Sequence, residues 1–282
     1  MHKVLITTDS TADLSLELLK SRNIKVVPLY VRFGDESFQD GVDITTEKLY
    51  EKVDKLGYLP KTQAVSPGDF EKFFRPYLED GYKIIHISIG SKISGTYQSA
   101  KLSLDLLETE DVYIVDSANL SSGIGLLVLK ASDFAHEGMD VKTIYETVTK
   151  LVPKVRSQFA IKTLDYLYKG GRASGLSAFM GSVLRVKPII QVNNGKLDVY
   201  KKSVGKMTKA LDIMIDDLVA LKDNIDDTYV FITHSLAPDS FEYIKNKLID
   251  NLSVKNILEG HAGCVISSHC GKGTIGILYI KR

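Results

Sequence analysis

Short apolar runs alternate with amphipathic stretches along almost the whole chain. Val4–Thr8, Ile24–Phe33, Ile84–Ile89 and Val112–Val115 are rich in β-branched residues and predict buried strands. Between and after them, Ser15–Lys20, the stretch from Thr45 to Leu56, Thr96–Leu107, Ser121–His136 and Val141–Leu151 carry apolar residues at helical spacing. Ser66-Pro67-Gly68-Asp69 reads as a helix start. Serine caps, proline suits the first position and aspartate suits the positive end of the dipole. The pattern resumes after Pro153, with strands predicted at Gln158–Ile161, Ile189–Val192, Leu197–Tyr200, Val230–Thr233, Ile257–Glu259 and Ile275–Ile280. Helices are predicted there at Leu176–Leu184, Met207–Leu221 and Phe241–Ile249, and Asn193-Asn194-Gly195 is a hairpin signal. Strands alternating with helices predict an α/β fold with a largely parallel or mixed, doubly wound sheet. The hairpin and late strands predict a second, more antiparallel α/β unit. The boundary falls at Pro153, giving units 1–153 and 154–282.

Small polar clusters recur where strands end, which is where ligands sit in open α/β sheets. They are Thr8-Asp9-Ser10-Thr11, Ser91 to Thr96, Asp116-Ser117 and His234-Ser235. Helix capping is the ordinary use of such residues. The Ser94-Gly95-Thr96 turn has more hydroxyls than one cap requires, and its glycine permits close backbone approach. With a helix N-terminus behind it, this turn suits a carboxylate, a phosphate or another small anion. Thr62 precedes a helix and either donates to a ligand oxygen or bonds its own backbone. Lys169-Gly170-Gly171-Arg172 either ends a helix through a left-handed glycine or presents a guanidinium to an anion. The segment Ser267 to Thr274 reads as a polar loop between two apolar strands, with His269 able to hydrogen-bond an anionic ligand. On paper Ser94, His269 and Asp116 also compose a nucleophile, base and orienting acid for a hydrolase or transferase. No Gly-x-Ser-x-Gly elbow accompanies them.

Composition narrows the function further. Content of 44% hydrophobic and 25% charged residues is that of an ordinary soluble protein. With 36 basic and 35 acidic residues the formal charge is +1, which supports neither nucleic acid nor cationic membrane binding. No Walker A motif, Gly-x-Gly-x-x-Gly fingerprint or metal-ligand cluster is present, so neither a metal nor a cofactor is expected. Cys264 and Cys270 are the only cysteines, and their spacing matches no standard zinc motif. Free thiols, a start that runs straight into a strand and the lack of a spanning apolar run give a cytoplasmic expectation.

Read together, the motifs resemble those of the DegV family, whose characterised members are bacterial fatty-acid-binding proteins. The matching segments are Thr8 to Leu14, Asp40-Gly41-Val42-Asp43, Ser94 to Ala100, Val115-Asp116-Ser117, Leu167 to Arg172, Lys187-Pro188-Ile189-Ile190 and His269 to Gly276. They run in family order over essentially the whole chain. The resemblance implies a Rossmann-like N-terminal domain with a mixed sheet plus a second α/β domain, with one long-chain fatty acid held between or within them. It implies a non-catalytic protein that presents the acid to a separate fatty acid kinase. That partner phosphorylates the carboxylate to an acyl phosphate for phospholipid synthesis. Transient membrane contact fits this role. Carried over by motif, Thr62, Ser94 and His269 hold the carboxylate, and Gly95, Thr96, Arg172, Ser10 and Ser117 are nearby or anion contacts. The chain departs from the family pattern at Gln63-Ala64-Val65-Ser66, at Lys272, and at Lys201 to Lys206. The last segment lacks an arginine that contributes to kinase docking in relatives.

Overall fold

A computed structural model describes residues 3–172 and 186–282. In chain order the elements are β1 (Lys3–Asp9), α1 (Leu16–Ser21), β2 (Lys25–Val27), β3 (Tyr30–Phe33), β4 (Glu36–Gln39), α2 (Thr46–Leu56), β5 (Lys61–Gln63), α3 (Pro67–Glu79), β6 (Tyr82–Ser88), α4 (Thr96–Leu107), β7 (Val112–Asp116), α5 (Ser122–His136) and α6 (Val141–Leu151). They continue with β8 (Val155–Ala160), α7 (Asp165–Lys169), β9 (Val186–Asn193), β10 (Lys196–Val204), α8 (Met207–Val219), β11 (Ile225–His234), α9 (Pro238–Asn251), β12 (Asn256–His261), α10 (Cys264–Cys270) and β13 (Ile275–Lys281). The helix predicted at Leu176–Leu184 lies outside the described residues.

Strands β2-β1-β6-β7 form one wholly parallel sheet. Strands β10-β9-β8-β13-β11-β12 form a second, which is antiparallel apart from the β11–β12 pair. A small antiparallel sheet, β4-β3-β5, stands apart from both. The fold class is thus mixed α/β, with a parallel sheet and a second sheet-rich region, as the alternation of patterns predicts.

Helix α5 explains how the two large sheets are joined. Its first eight residues from Ser122 to Leu129 are all buried, so it has no solvent face to present. A helix apolar on every side must be covered on every side. One continuous core places Ile124, Leu127 and Val128 with Ile85 and Ile87 of β6, and with Phe231 of β11 and Leu278 of β13. The opposite face of the parallel sheet is closed by Phe70 and Phe74 of α3. The far face of the second sheet is closed by Leu211, Met214 and Leu218 of α8 and Ile244 and Leu248 of α9.

Two local predictions fail for identifiable reasons. Ile24–Phe33 is two strands, because Pro28 has no N–H for a ladder and the chain changes sheet there. The predicted polar loop around His269 is instead helix α10. Its serines lack the look of a helical core, yet their hydroxyls bond back to carbonyls within or just before the helix, Ser268 to Cys264 at 2.6 Å and Ser267 to Ala262 at 3.0 Å. Thr62, which precedes α3, lies on the short strand β5.

Candidate functional site

Helix α10 is held at its first turn by two buried carboxylates. Asp40 accepts the N–H groups of Cys264 and Val265 at 2.7 and 3.3 Å, and the Ser10 hydroxyl at 3.0 Å. Asp13 accepts the Gly263 N–H at 2.9 Å and the Ser121 hydroxyl. Burial raises both carboxyls above the usual range, Asp13 well above it. Anchored in this way, α10 delivers His269 at its far end to β5, where Nε2 lies 2.9 Å from Thr62 Oγ1. The thiols of Cys264 and Cys270 are free and buried, and burial pushes Cys270 up to about 12. Neither is a reactive thiolate.

Thr62 and His269 stand at one end of a cleft whose empty space, mouth included, is about 610 Å³. Ser94, Gly95 and Arg172 also line it. Most of the rest of the lining is apolar, including Leu29, Ile89, Ile93, Leu120, Leu167 and Ile266. A second cavity of about 340 Å³ shares Leu120, Ile266 and Cys270 with the cleft and reaches Phe159 and Leu278 between the sheets.

The polar end has hydrogens to offer. Burial, and then the nearby Arg172 cation, hold the His269 imidazole down at about 4, so it is neutral at pH 7. Among the described residues its Nδ1 has no hydrogen-bond partner. An unpaired acceptor is tolerated better than an unpaired N–H, which favours the tautomer with the proton on Nε2. Nε2–H then donates to Thr62 Oγ1 and leaves the Thr62 hydroxyl hydrogen free for the cleft. Ser94 repeats the arrangement. Its Oγ accepts the Thr96 N–H at 3.2 Å and sits 2.9 Å from the buried Thr96 hydroxyl. With Thr96 donating, the Ser94 hydrogen also faces the cleft. Ser94 thus bonds the first residue of α4 and also lines the cleft.

The Gly170-Gly171-Arg172 segment ends α7 and brings Arg172 to the lining of the cleft. Arg172 N–H reaches Leu167 C=O and Gly171 N–H reaches Tyr168 C=O, each at 2.9 Å, with Gly171 left-handed. This is a Schellman ending for α7. It aims Arg172 into the cleft, where Nη1 donates to Gly170 C=O at 2.7 Å. Gly170 is required by close approach, since a Cβ there would meet His269 Nδ1 at 2.2 Å. Among the described residues no carboxylate pairs with Arg172, so a half-buried cation faces the cleft without a counter-charge.

The remaining candidate positions lie elsewhere. Ser10 donates to Asp40 and accepts the Leu29 N–H, and Ser117 closes a turn with Asn119. Neither lines the cleft, because each hydroxyl is committed to backbone or carboxylate. The nucleophile–base–acid set does not assemble either. Ser94 bonds Thr96, His269 bonds Thr62, and Asp116 accepts the N–H groups of Ser91 and Ala118 at 3.0 and 2.9 Å. One group of side chains among the described residues comes within metal-ligating distance: His234, Glu259 and His261. His234 Nδ1 accepts the Ala237 N–H at 3.1 Å, so the proton sits on Nε2, which faces Glu259 at 2.9 Å. That nitrogen has no lone pair for a metal.

Comparison with known proteins fits this geometry. The model described as an uncharacterised protein family, DegV, matches residues 3–282. A DegV domain-containing protein of Clostridium acetobutylicum is 36% identical over 282 residues, covering all of both chains. The chain belongs to the DegV family. A second DegV domain-containing protein, from Caldanaerobacter subterraneus, is 34% identical over the full length of both chains. Among solved DegV structures, one from Thermus thermophilus described as binding fatty acid superposes with a TM-score of 0.93 at 29% identity, covering all of both chains. A stearic-acid-binding protein from Eubacterium ventriosum superposes at 0.86 and 26% identity, covering 100% of this chain and 98% of that one. Among the described residues no helix is long and apolar enough to cross a membrane.

Proposed function

We propose that this DegV protein binds one long-chain fatty acid between its two units, residues 1–153 and 154–282, and presents the carboxylate to a separate kinase. The observation that carries the reading is the Thr62–His269 hydrogen bond at the polar end of an apolar cleft that also meets Ser94 and Arg172. The Thr62 and Ser94 hydroxyls each donate to a carboxylate oxygen, and Arg172 supplies the compensating charge. The tail gains roughly 0.8 kcal/mol per buried methylene along the apolar lining and the second cavity, so affinity comes from the chain and orientation from the head group. The ligands named for the Thermus and Eubacterium relatives support this reading.

The kinase step follows from the family resemblance. A carboxylate oxygen attacks the terminal phosphorus of a nucleoside triphosphate carried by the partner. The bond from that phosphorus to the bridging oxygen breaks, and the diphosphate leaves with the electron pair. The carboxylate has no proton to lose, so this step needs no base. We place the protein in the cytoplasm, where such a donor is available.

Mass spectrometry of small molecules released on denaturing the purified protein tests the binding. A fatty acid at about one per chain is expected. An empty protein that also fails to take up added fatty acid overturns the proposal.

A further inference from the structure

Hairpin β9–β10 outruns the sheet that carries it. Among the described residues β9 pairs with β8 only through Ile189, Ile190 and Gln191. Beyond them the two strands pair with each other, Leu197 opposite Val192 and Lys196 opposite Asn193. A register shift between Val199 and Lys201 marks a bulge at the base of this arm. Bulges bend the strand that carries them, and a two-stranded ribbon has little stability of its own. The arm therefore needs a support, and it finds one in the loop after β6 and the turn after β7. Lys92 Nζ donates to Asn194 C=O at 2.9 Å, and among the described residues this is the one hydrogen bond that ties the tip to the rest of the chain. Gly195 is buried between the exposed Asn194 and Lys196. A Cβ built on it falls 3.4 Å from Lys92 Cδ and 3.6 Å from Ala118 Cβ, so the tip rests on both. The arm is also a wall of the fatty-acid cleft. Its buried Leu197 lines the cleft beside Ile93 and Leu120, and the three share one apolar cluster with Val192 and Val199. Other walls are fixed more firmly, α10 by Asp13 and Asp40 and Ile89 by the core around α5.

We propose that the β9–β10 arm is the gate through which the fatty acid enters and leaves, and that Lys92 is its latch. This rests on the reading that the cleft holds a fatty acid. Pivoting at the bulge lifts Leu197 away from Ile93 and Leu120 and opens the apolar wall. Thr62, Ser94, Arg172 and His269 stand on other elements and keep their places as the arm moves. Closing returns Leu197 to the wall and removes its apolar surface from water. A wall that opens locally lets a buried tail exchange without unfolding the sheets. Lys92 bonds the arm's backbone from outside the cleft lining, so it is a positioning residue. It sets how often the gate opens and leaves the contacts of the closed state unchanged.

The test locks the gate reversibly in the full chain. The 3.6 Å between Ala118 Cβ and a Cβ on Gly195 lies within the span of about 3.5–4.5 Å that a disulfide bridges. The native Cys264 and Cys270 are buried and stay out of the reaction. The variant A118C/G195C is stripped of lipid and studied oxidised and reduced, so that any strain from a side chain at Gly195 is common to both forms. Uptake of cis-parinaric acid, a fluorescent fatty acid, and its release to phosphatidylcholine vesicles are followed by stopped flow. Oxidation is expected to slow both by about tenfold or more, and reduction to restore them. K92A is expected to speed release about threefold, with its circular dichroism unchanged. Equal rates in the oxidised and reduced forms overturn the gate, and so do thiols that fail to cross-link, since the tip would then not rest on Ala118. Release from K92A at the wild-type rate overturns the latch. Lys92 is exposed, so K92A decides the proposal if the cysteine pair does not fold. A wild type that takes up no parinaric acid at equilibrium overturns the fatty-acid reading, and the gate with it.

Discussion

The two ends of helix α10 are both buried and both polar, and they differ in one respect. At the N-terminal end every oxygen of Asp13 and Asp40 accepts a hydrogen bond from within the protein. At the C-terminal end His269 keeps a nitrogen without a partner among the described residues, and the Thr62 and Ser94 hydroxyls line a cavity. A polar cluster that is satisfied internally holds the fold. One with donors left over beside an empty apolar space is built for something that is not the protein. His86 shows that an unpartnered histidine alone is not enough. Among the described residues its Nε2 is also unpaired and burial holds it down at about 3, but its ring packs edge-on against Phe70 and Phe74 in the core.

The contrast is broken most severely at the satisfied end. Asp40→Ala leaves two N–H groups and the Ser10 hydroxyl without their acceptor, each costing about 1–3 kcal/mol, offset in part by removing a carboxylate that is costly to bury. A net loss of about 3 kcal/mol in denaturant unfolding is expected. A loss under about 1 kcal/mol would mean that α10 is anchored by other contacts.

At the open end the larger effect should fall on ligand affinity. Ser94→Ala removes one donor to a partly buried carboxylate and is expected to weaken fatty-acid binding by about 1–3 kcal/mol. Unfolding free energy should also fall, by about 1–2 kcal/mol, because the buried Thr96 N–H and hydroxyl lose their Ser94 partner. Unchanged affinity in a correctly folded Ser94→Ala protein takes Ser94 out of the site.

Acid titration sets the two ends against each other. His269 is depressed from an unfolded value of 6.5 to about 4, so between those values the unfolded chain binds the extra proton and stability falls as pH falls. The carboxyls of Asp13 and Asp40 are raised, so their folded forms hold protons longer than the unfolded chain, and stability falls as pH rises from 3.8 through their folded values. The two contributions have opposite signs. His269→Gln should make stability fall more with rising pH, and Asp13→Asn should do the reverse. Unfolding curves at pH 4.5, 5.5 and 6.5 that respond identically in both variants would show that these groups do not govern the profile.

The smallest change is expected at Ser117, whose hydroxyl closes a local turn with Asn119. Ser117→Ala should alter fatty-acid affinity by less than twofold and stability by about 0.5–1 kcal/mol. A tenfold loss of affinity would extend the site beyond the cleft described here.

What the sequence by itself determined follows from local physics. Periodicity located α4 at Thr96–Leu107 and α6 at Val141–Leu151 to the residue. Ser66 and Thr45 cap their helices as expected, and Asn194-Gly195 joins β9 to β10, because capping and turn chemistry involve neighbours in the chain. Motif order pointed to Thr62, Ser94, Arg172 and His269, which the fold brings to one cleft. Only the tertiary structure decided the rest. Short β5 and α10 are too brief and too polar to show a period, and they exist because β3 and the pair Asp13 and Asp40 hold them. The same holds for the role of each polar residue. Ser10, Ser117 and Ser94 are alike as letters, and which of them keeps a free hydrogen depends on partners scattered along the chain. A hydrogen bond such as that between Thr62 and His269 joins residues 207 positions apart, and no local pattern encodes it.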